Sequence, residues 1–345
     1  MAILRVENPP NPWASSFVEY LGEAPRASLE VFEDETREIL SRNESPDVPF
    51  RWSVNPYRGC YHGCAYCYAR PSHEYLGFGS GTDFERKIVV KRKAPGLLRR
   101  AFERPSWKGE LIAFSGDTDC YQPLEASLEL TKRCLEVCLE YRNPIGVVTK
   151  SALVERDADL LGRISREASC SVMFSIPFLD EESARAIESY APSPRLRLRA
   201  MKAVHDAGVE VGVLIAPVIP GLSDREIPAV LKAAREAGAT RAGIVALRLP
   251  GNVEGVFLGR LRQAMPDRAK RVEARIREMR GGRLYDPRFG SRMRGQGKYW
   301  AGIESVFEVW RRKLGYDDAP SEPAPATFRR PGVKGQTYLP FAAEN

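Results

Sequence analysis

Three cysteines, Cys60, Cys64 and Cys67, form a Cys-x3-Cys-x2-Cys run inside the segment Asn55–Arg70. Thiolates this close in sequence can converge on one inorganic centre, and Gly59 and Gly63 let the intervening loop turn tightly around it. A [4Fe–4S] cube usually takes four cysteine ligands, so a set of three leaves one iron open to a further group. A zinc ion would want a fourth protein ligand, for which His62, His73 and Cys120 are the available groups. The plainest reading is a chance gathering of core cysteines. With only three histidines (His62, His73 and His205), a His-rich metallohydrolase site is excluded. Of the seven cysteines, Cys134, Cys138 and Cys170 fall in helix or strand patterns and read as small apolar core residues.

The elements that must position this loop are legible as apolar runs. Arg51–Asn55, Glu110–Phe114, Gly146–Thr149, Ser171–Ile176, Glu210–Ala216 and Ala242–Leu247 read as strands, several rich in Val, Ile and Phe. Helical spacing falls between them, over Leu124–Tyr141, Ala152–Ala168, Glu181–Tyr190, Arg195–Ala207 and Asp224–Ala237. Gly208 and Gly238 stand where helix C-caps stand, and Ser223-Asp224 opens a helix. Six strand–helix alternations predict an α/β fold with a parallel sheet, either doubly wound or a partial (β/α) barrel. Both architectures gather chemistry at the C-terminal ends of the strands. The cysteine loop follows the first strand directly, Ser115–Cys120 follows the second and Lys150 the third.

The chain has 345 residues, 43% of them hydrophobic and 28% charged, which excludes wholesale disorder, collagen and a coiled-coil rod. Its longest nearly apolar run, Val211–Leu222, is too short for a membrane span of ~20 residues. Met1–Trp13 lacks the pattern of a signal peptide, so the expectation is a cytoplasmic protein without membrane contact. The net charge of +7 is uneven: Arg260–Lys298 holds thirteen Lys/Arg against four Asp/Glu. Such a segment suits a nucleic acid or another polyanion, or else forms solvated helices whose arginines have partners within the chain. Tyr299, Trp300 and Trp310 offer aromatic faces for bases, but their helical spacing with Ile303, Val306 and Phe307 favours core packing. Gly77, Gly79 and Gly81 open no helix and make no dinucleotide fingerprint, and Gly290–Lys298 fails the phosphate-loop order at Arg292.

Cys-x3-Cys-x-aromatic-Cys after the first strand resembles the radical S-adenosylmethionine superfamily. Within it, Asn55–Arg70, Ser115–Glu125, Thr149–Ser151, Ala216–Leu222 and Tyr285–Gly290 resemble the branch related to spore photoproduct lyase, often labelled DNA repair photolyase-like. The resemblance covers about residues 35–315. It implies a partial (β/α)6 TIM-like barrel with an N-terminal extension and C-terminal helices. The expected organisation is a flexible arm over 1–25, the barrel and its extension over 26–250, a basic helical segment over 251–316 and a flexible tail over 317–345, with Tyr338 and Phe341 free to dock.

The same resemblance implies a [4Fe–4S] cluster on Cys60, Cys64 and Cys67. Its open iron binds S-adenosylmethionine, which is reductively cleaved to a 5′-deoxyadenosyl radical. It implies that Gly116, Asp117 and Thr118 meet the cofactor's amino group, that Lys150 reaches its carboxylate and that Ser175 touches its ribose. Tyr66 and Tyr68 then line the cluster and the hydrogen path, and Pro217, Pro220 and Gly221 close the fifth strand beside the adenosine. The lyase pattern places a hydrogen-donor thiol where Gly116 stands; here Cys120 takes the catalytic expectation from a position after Asp119. A turn of Thr118 or Asp119 capping the following helix is the bland alternative for that loop. The implied partners are a flavodoxin- or ferredoxin-type electron donor and a nucleic acid. The alternatives are radical modification of a small molecule, peptide or protein, and a non-catalytic, zinc-stabilised nucleic-acid-binding protein. Nothing in the sequence sets an oligomeric state.

Overall fold

The structure, a computed structural model, describes residues 28–316 and 326–331. The expected arm over 1–25 and most of the expected tail, with Tyr338 and Phe341, lie outside the described residues. Ten strands occur among the described residues. The first five are β1 (Glu30–Glu33), β2 (Leu40–Arg42), β3 (Trp52–Val54), β4 (Tyr57–Arg58) and β5 (Lys87–Val90). The rest are β6 (Ile112–Phe114), β7 (Ile145–Thr149), β8 (Cys170–Ser175), β9 (Glu210–Val218) and β10 (Arg241–Ala246).

Strands β3, β6, β7, β8, β9 and β10 pair in chain order, every pair parallel, and β2 adds antiparallel to the β3 edge. Parallel neighbours need crossovers, and each crossover after β6 carries a helix, so the sheet curls into the partial six-stranded barrel expected. One face of the strands is packed under the helices: Val211, Val213 and Ile215 of β9 are fully buried, while Leu214 and Ala216 between and beside them are half-buried. The outer helices bury one stripe each at spacings of three and four. Pro194–Asp206 buries Ala200, Met201 and Val204, and Ile227–Glu236 buries Val230, Leu231 and Ala234. Gly208 and Gly238 do end helices with φ of 84° and 99°.

Four expectations need correction. Leu124–Tyr141 is two helices, Glu125–Leu128 and Leu130–Glu140, joined at Glu129 with φ 51°. The buried Glu125 carboxylate accepts from the backbone N–H of Thr131 (2.9 Å) and of Lys132 (3.2 Å), capping the second helix and so favouring the break. Gly81 does precede a helix, the single turn and a half Thr82–Arg86. The region before β6 carries a second small sheet, β1-β5-β4, which the sequence reading missed. Lastly, the expected tail is docked where it is described. The Phe328 ring packs against Phe102 and Tyr141, and Arg330 donates to the carbonyls of Phe102, Arg104 and Trp107.

The basic segment forms helices Val253–Ala264 and Pro266–Met279, a loop, and helix Gly297–Lys313. Trp300, Ile303 and Phe307 are buried in the main core, which settles the aromatic stripe as packing. Among the described residues, no helix is long and apolar enough to cross a membrane.

Candidate active site

The cysteine loop leaves β3 at the C-terminal end of the barrel. Gly59 and Gly63 have φ of 76° and 65°, and neither has room for a side chain. A Cβ on Gly59 would stand 2.8 Å from His73 Cε1, and one on Gly63 2.9 Å from Tyr190 Cδ2. The loop is tied down along its length. Cys60 N donates to the Phe84 carbonyl (2.9 Å) and Ala65 N to that of Ile187 (2.9 Å). Gln122 accepts from Tyr61 N (3.0 Å) and donates to the Gly59 carbonyl (3.1 Å). Arg70 aims two nitrogens at the Cys64 carbonyl, at 3.0 and 2.9 Å.

Cys60 and Cys64 are buried and Cys67 half-buried. Burial, then the charges of Asp119, Cys67 and Cys64, push the Cys60 thiol well up. Burial, Glu188 and Cys67 push Cys64 up to about 12. Burial pushes Cys67 up, against the pull of Arg70. Cys60 feels the charges of both other thiols and Cys64 that of Cys67, so the three lie near one another, and only a strongly electrophilic group will hold all three as thiolates there. Among the described residues, no three His, Cys, Asp or Glu side chains are arranged to hold a single metal ion. A zinc ion would draw its sulfurs to about 2.3 Å of one point. An iron–sulfur cube spreads them over separate irons, and three thiols with no fourth fit it.

The named zinc alternatives go elsewhere. His73 Nε2 contacts the Lys87 carbonyl (2.8 Å) and its ring packs on Phe78 and Phe84. His62 Nδ1 lies 3.4 Å from Asp119 Oδ2. Cys120 is 1% exposed and belongs to the main core with Cys134, Cys138 and Cys170, not to the apolar groups that hold Cys60, Cys64 and Cys67. Its backbone N–H donates to Ser115 Oγ (2.9 Å) and its carbonyl accepts from Thr131 Oγ1 (2.6 Å). Cys120, expected as a catalytic thiol, thus lies in the main core behind a turn that starts at Ser115, a non-glycine residue at φ 70°.

The remaining expected residues gather at the strand ends, with one exception. Tyr68, 46% exposed beside Cys67, donates its hydroxyl to the Gly116 carbonyl (3.1 Å). Gly116 lies so close to Ser53 that a Cβ would meet it at 2.8 Å. Asp117 N donates to Asn55 Oδ1 (3.2 Å), and burial raises the Asp117 carboxyl against the pull of Lys91 and Arg58. Thr118 is the exception: its hydroxyl is buried and donates to the Tyr57 carbonyl (2.8 Å). Nor does this turn cap the next helix. Asp119 accepts instead from Tyr121 N (2.9 Å), Thr149 Oγ1 (2.8 Å) and Lys150 N (2.8 Å). Burial would raise Asp119, but His62 and these donors outweigh it and hold the carboxyl at about 2.

Lys150 Nζ donates to Ser175 Oγ (2.9 Å), which donates to the Ala216 backbone carbonyl (2.8 Å), so two side chains link the ends of β7, β8 and β9. The lysine ammonium also stands 5.5 Å from the centre of the Tyr66 ring. Behind it lies a network with no sequence signal. The Tyr66 hydroxyl and Arg197 Nη2 both donate to the buried carboxylate of Glu188, and Arg197 Nη1 donates to the Ser175 carbonyl (3.0 Å). Burial would raise Glu188, but Arg197 and Lys150 outweigh it and keep it low. β9 itself continues past Pro217 to Val218, and the turn closes at Gly221 with φ 78°.

The charge of Arg260–Lys298 is largely answered within the chain. Arg262 and Arg277 share Glu273, Arg275 pairs with Glu278, Arg288 with Asp286 and Arg292 with Asp47. Arg280 is buried and donates to four backbone carbonyls. The loop after it nevertheless reaches the barrel mouth. Met293 accepts from Ala246 N at the end of β10 (3.0 Å), and Arg248 Nη1 contacts Met293 Sδ (3.5 Å) while its guanidinium lies 5.3 Å from the Tyr68 ring centre. Phe289, 60% exposed, stands on this loop.

The Radical SAM superfamily profile matches residues 54–234, more than half of the chain. This chain belongs to the radical SAM superfamily. An uncharacterised protein of Mycobacterium tuberculosis is 38% identical over 226 residues, which is 65% of this chain and 66% of the relative. An uncharacterised protein of Methanocaldococcus jannaschii is 29% identical over 200 residues, 58% of this chain and 72% of that one. The chain thus spans just under two thirds of the mycobacterial relative. Among solved structures, spore photoproduct lyase complexed with dinucleoside spore photoproduct aligns with a TM-score of 0.56 at 16% identity, covering 83% of this chain and 79% of that one. The fold is that of the lyase.

Members of this family use a [4Fe–4S] cluster and S-adenosylmethionine. A cluster held by Cys60, Cys64 and Cys67 would supply one electron and its bound cofactor radical chemistry, while the protein supplies thiols, orientation and exclusion of water. Sequence reasoning missed Gln122, Glu188, Arg197 and Arg248. Gln122 lies in a motif segment and had a signal; the others act through contacts between distant parts of the chain.

Proposed function

We propose that this radical SAM enzyme removes a hydrogen atom from a nucleic acid, in repair or modification. Cys60, Cys64 and Cys67 ligate the cluster. Gly116 and Asp117 receive the amino group of S-adenosylmethionine, with Thr118 holding their turn against the Tyr57 carbonyl. Lys150 binds the cofactor's carboxylate, Ser175 meets its ribose and Tyr68 lines the path to substrate. Cys120 serves the core, so the hydrogen is returned from another source than this thiol. The reductant is a flavodoxin- or ferredoxin-type protein.

The observation that carries the substrate class is the mouth loop. Arg283 and Arg294 are exposed there without a carboxylate partner among the described residues, and exposed Phe289, with the Arg292 guanidinium 4.3 Å from its ring centre, lies beside Arg288. Cations next to an exposed aromatic face suit a phosphate chain with stacked bases. The lyase-like fold supports the same reading. Reversing Arg283, Arg288 and Arg294 to Glu is expected to weaken DNA binding at least about tenfold and to flatten its salt dependence. Unchanged binding removes the nucleic-acid reading. The internal pairing of most of the basic segment favours the second reading, radical modification of a small molecule, peptide or protein. Full cofactor cleavage by a protein indifferent to DNA would support that one.

A further inference from the structure

Arg260 is 1% exposed, yet none of its three guanidinium nitrogens has an acceptor. Arg86, 3% exposed, sits between the rings of Tyr61 (4.6 Å) and Tyr190 (4.4 Å), and its Nε and Nη2 lack acceptors too. Arg70 is fully buried, with Nη2 donating to Glu85 Oε1 at 2.5 Å and two nitrogens on the Cys64 carbonyl. Arg260 feels the charges of Glu85, Tyr190 and Arg70, so these side chains form one group. Among the described residues, only Arg70 of these three guanidinium groups pairs with a carboxylate, that of Glu85. A buried surplus of positive charge is strongly unfavourable unless an anion answers it.

The cysteine loop is placed to supply that anion. Gly63 backs onto the group: a Cβ there would meet Tyr190 at 2.9 Å and the Glu85 carboxylate at 3.2 Å. Arg70 touches the loop directly. A cluster held by three thiolates is anionic and becomes more so when it takes up an electron, and fixed cations around it favour the reduced form.

We propose that Arg70, Arg86 and Arg260 are the buried counter-charge of the iron–sulfur cluster and raise its reduction potential. Arg260 is a positioning residue, acting through Arg70 and Glu85 and touching neither cluster nor cofactor. This rests on the ligand assignment proposed above. The electron comes from the external low-potential donor; the arginines change how readily the cluster accepts it.

The test is a potentiometric titration of the full chain, reconstituted anaerobically, with the reduced cluster read by electron paramagnetic resonance. In Arg260→Met the ratio of reduced to oxidised cluster at the wild-type midpoint falls at least about tenfold, a shift of about 59 mV for one electron, toward more negative potential. Arg260→Lys keeps the wild-type value. Should Arg260→Met fail to retain iron, Arg86→Met is titrated with the same expected shift. A wild-type potential in the methionine variant overturns the proposal. So does a wild-type protein whose melting temperature rises with inorganic phosphate when Arg260→Met has lost that response and kept its potential, because a free anion then fills the site. A Cys60/Cys64/Cys67→Ala protein that still binds the cluster fails the ligand assignment instead, and the two failures are told apart.

Discussion

The chain holds two sets of cysteines that differ in setting more than in burial. Cys60, Cys64 and Cys67 lie within eight residues of one another on a loop turned by glycines and held by Gln122 and Arg70. Cys120, Cys134, Cys138 and Cys170 are buried in the main core among strands and helices. All seven have thiols raised by burial, so neither burial nor pKa separates ligands from packing residues. What separates them is placement: three thiols gathered on one loop at the strand ends, against thiols packed among apolar side chains in the main core.

The difference can be broken most severely at the loop. Replacing any one of Cys60, Cys64 or Cys67 by Ala should leave little bound iron and no detectable 5′-deoxyadenosine, measured by iron and sulfide analysis with chromatography. Lys150→Met comes next. Losing a charged hydrogen bond worth ~1.5–3 kcal/mol should weaken S-adenosylmethionine binding about 10–100-fold with iron content unchanged, by equilibrium dialysis. A variant that binds normally would place the carboxylate elsewhere.

Cys120→Ala sharpens the contrast from the other side. As a core residue it should lower stability by about 1–2 kcal/mol in denaturant unfolding, with cofactor cleavage within about twofold of wild type. Loss of product turnover with normal cleavage would restore the hydrogen-donor role. The smallest expected effect is a pH dependence. Burial lowers the His73 pKa, so below the ordinary histidine value of about 6.5 the unfolded chain binds a proton that the folded chain refuses. Stability should fall as pH drops through that region until the folded pKa is passed. His73→Gln, followed by chemical denaturation between pH 7 and 5, should lose that part of the slope.

Much of the barrel was legible because its strands are apolar runs packed on one face under helices that keep one stripe each: six apolar runs became β3, β6, β7, β8, β9 and β10. The small β1-β5-β4 sheet was not, because Glu30–Glu33 is exposed at every residue and Tyr57–Arg58 is only two residues long. The break at Glu129 escaped because a carboxylate one turn earlier, Glu125, does the capping. Cys60, Cys64, Cys67, Lys150 and Ser175 were legible from motif and strand ends. Glu188 and Arg197 were not, since a buried ion pair on the helices after β8 carries no spacing signal toward a loop more than a hundred residues earlier. The arginines of Arg260–Lys298 were countable in the sequence, but their partners Asp47, Glu273, Glu278 and Asp286 were visible only in the fold.

The most direct measurement sets two triple variants beside the wild type after anaerobic reconstitution: Cys60/Cys64/Cys67→Ala and Cys120/Cys134/Cys138→Ala. Mössbauer spectra would count clusters and chromatography would count 5′-deoxyadenosine. The account predicts one [4Fe–4S] cluster and cofactor cleavage in the wild type and the core variant, and neither in the loop variant. A loop variant that keeps its cluster, or a core variant that folds and loses it, would contradict the assignment.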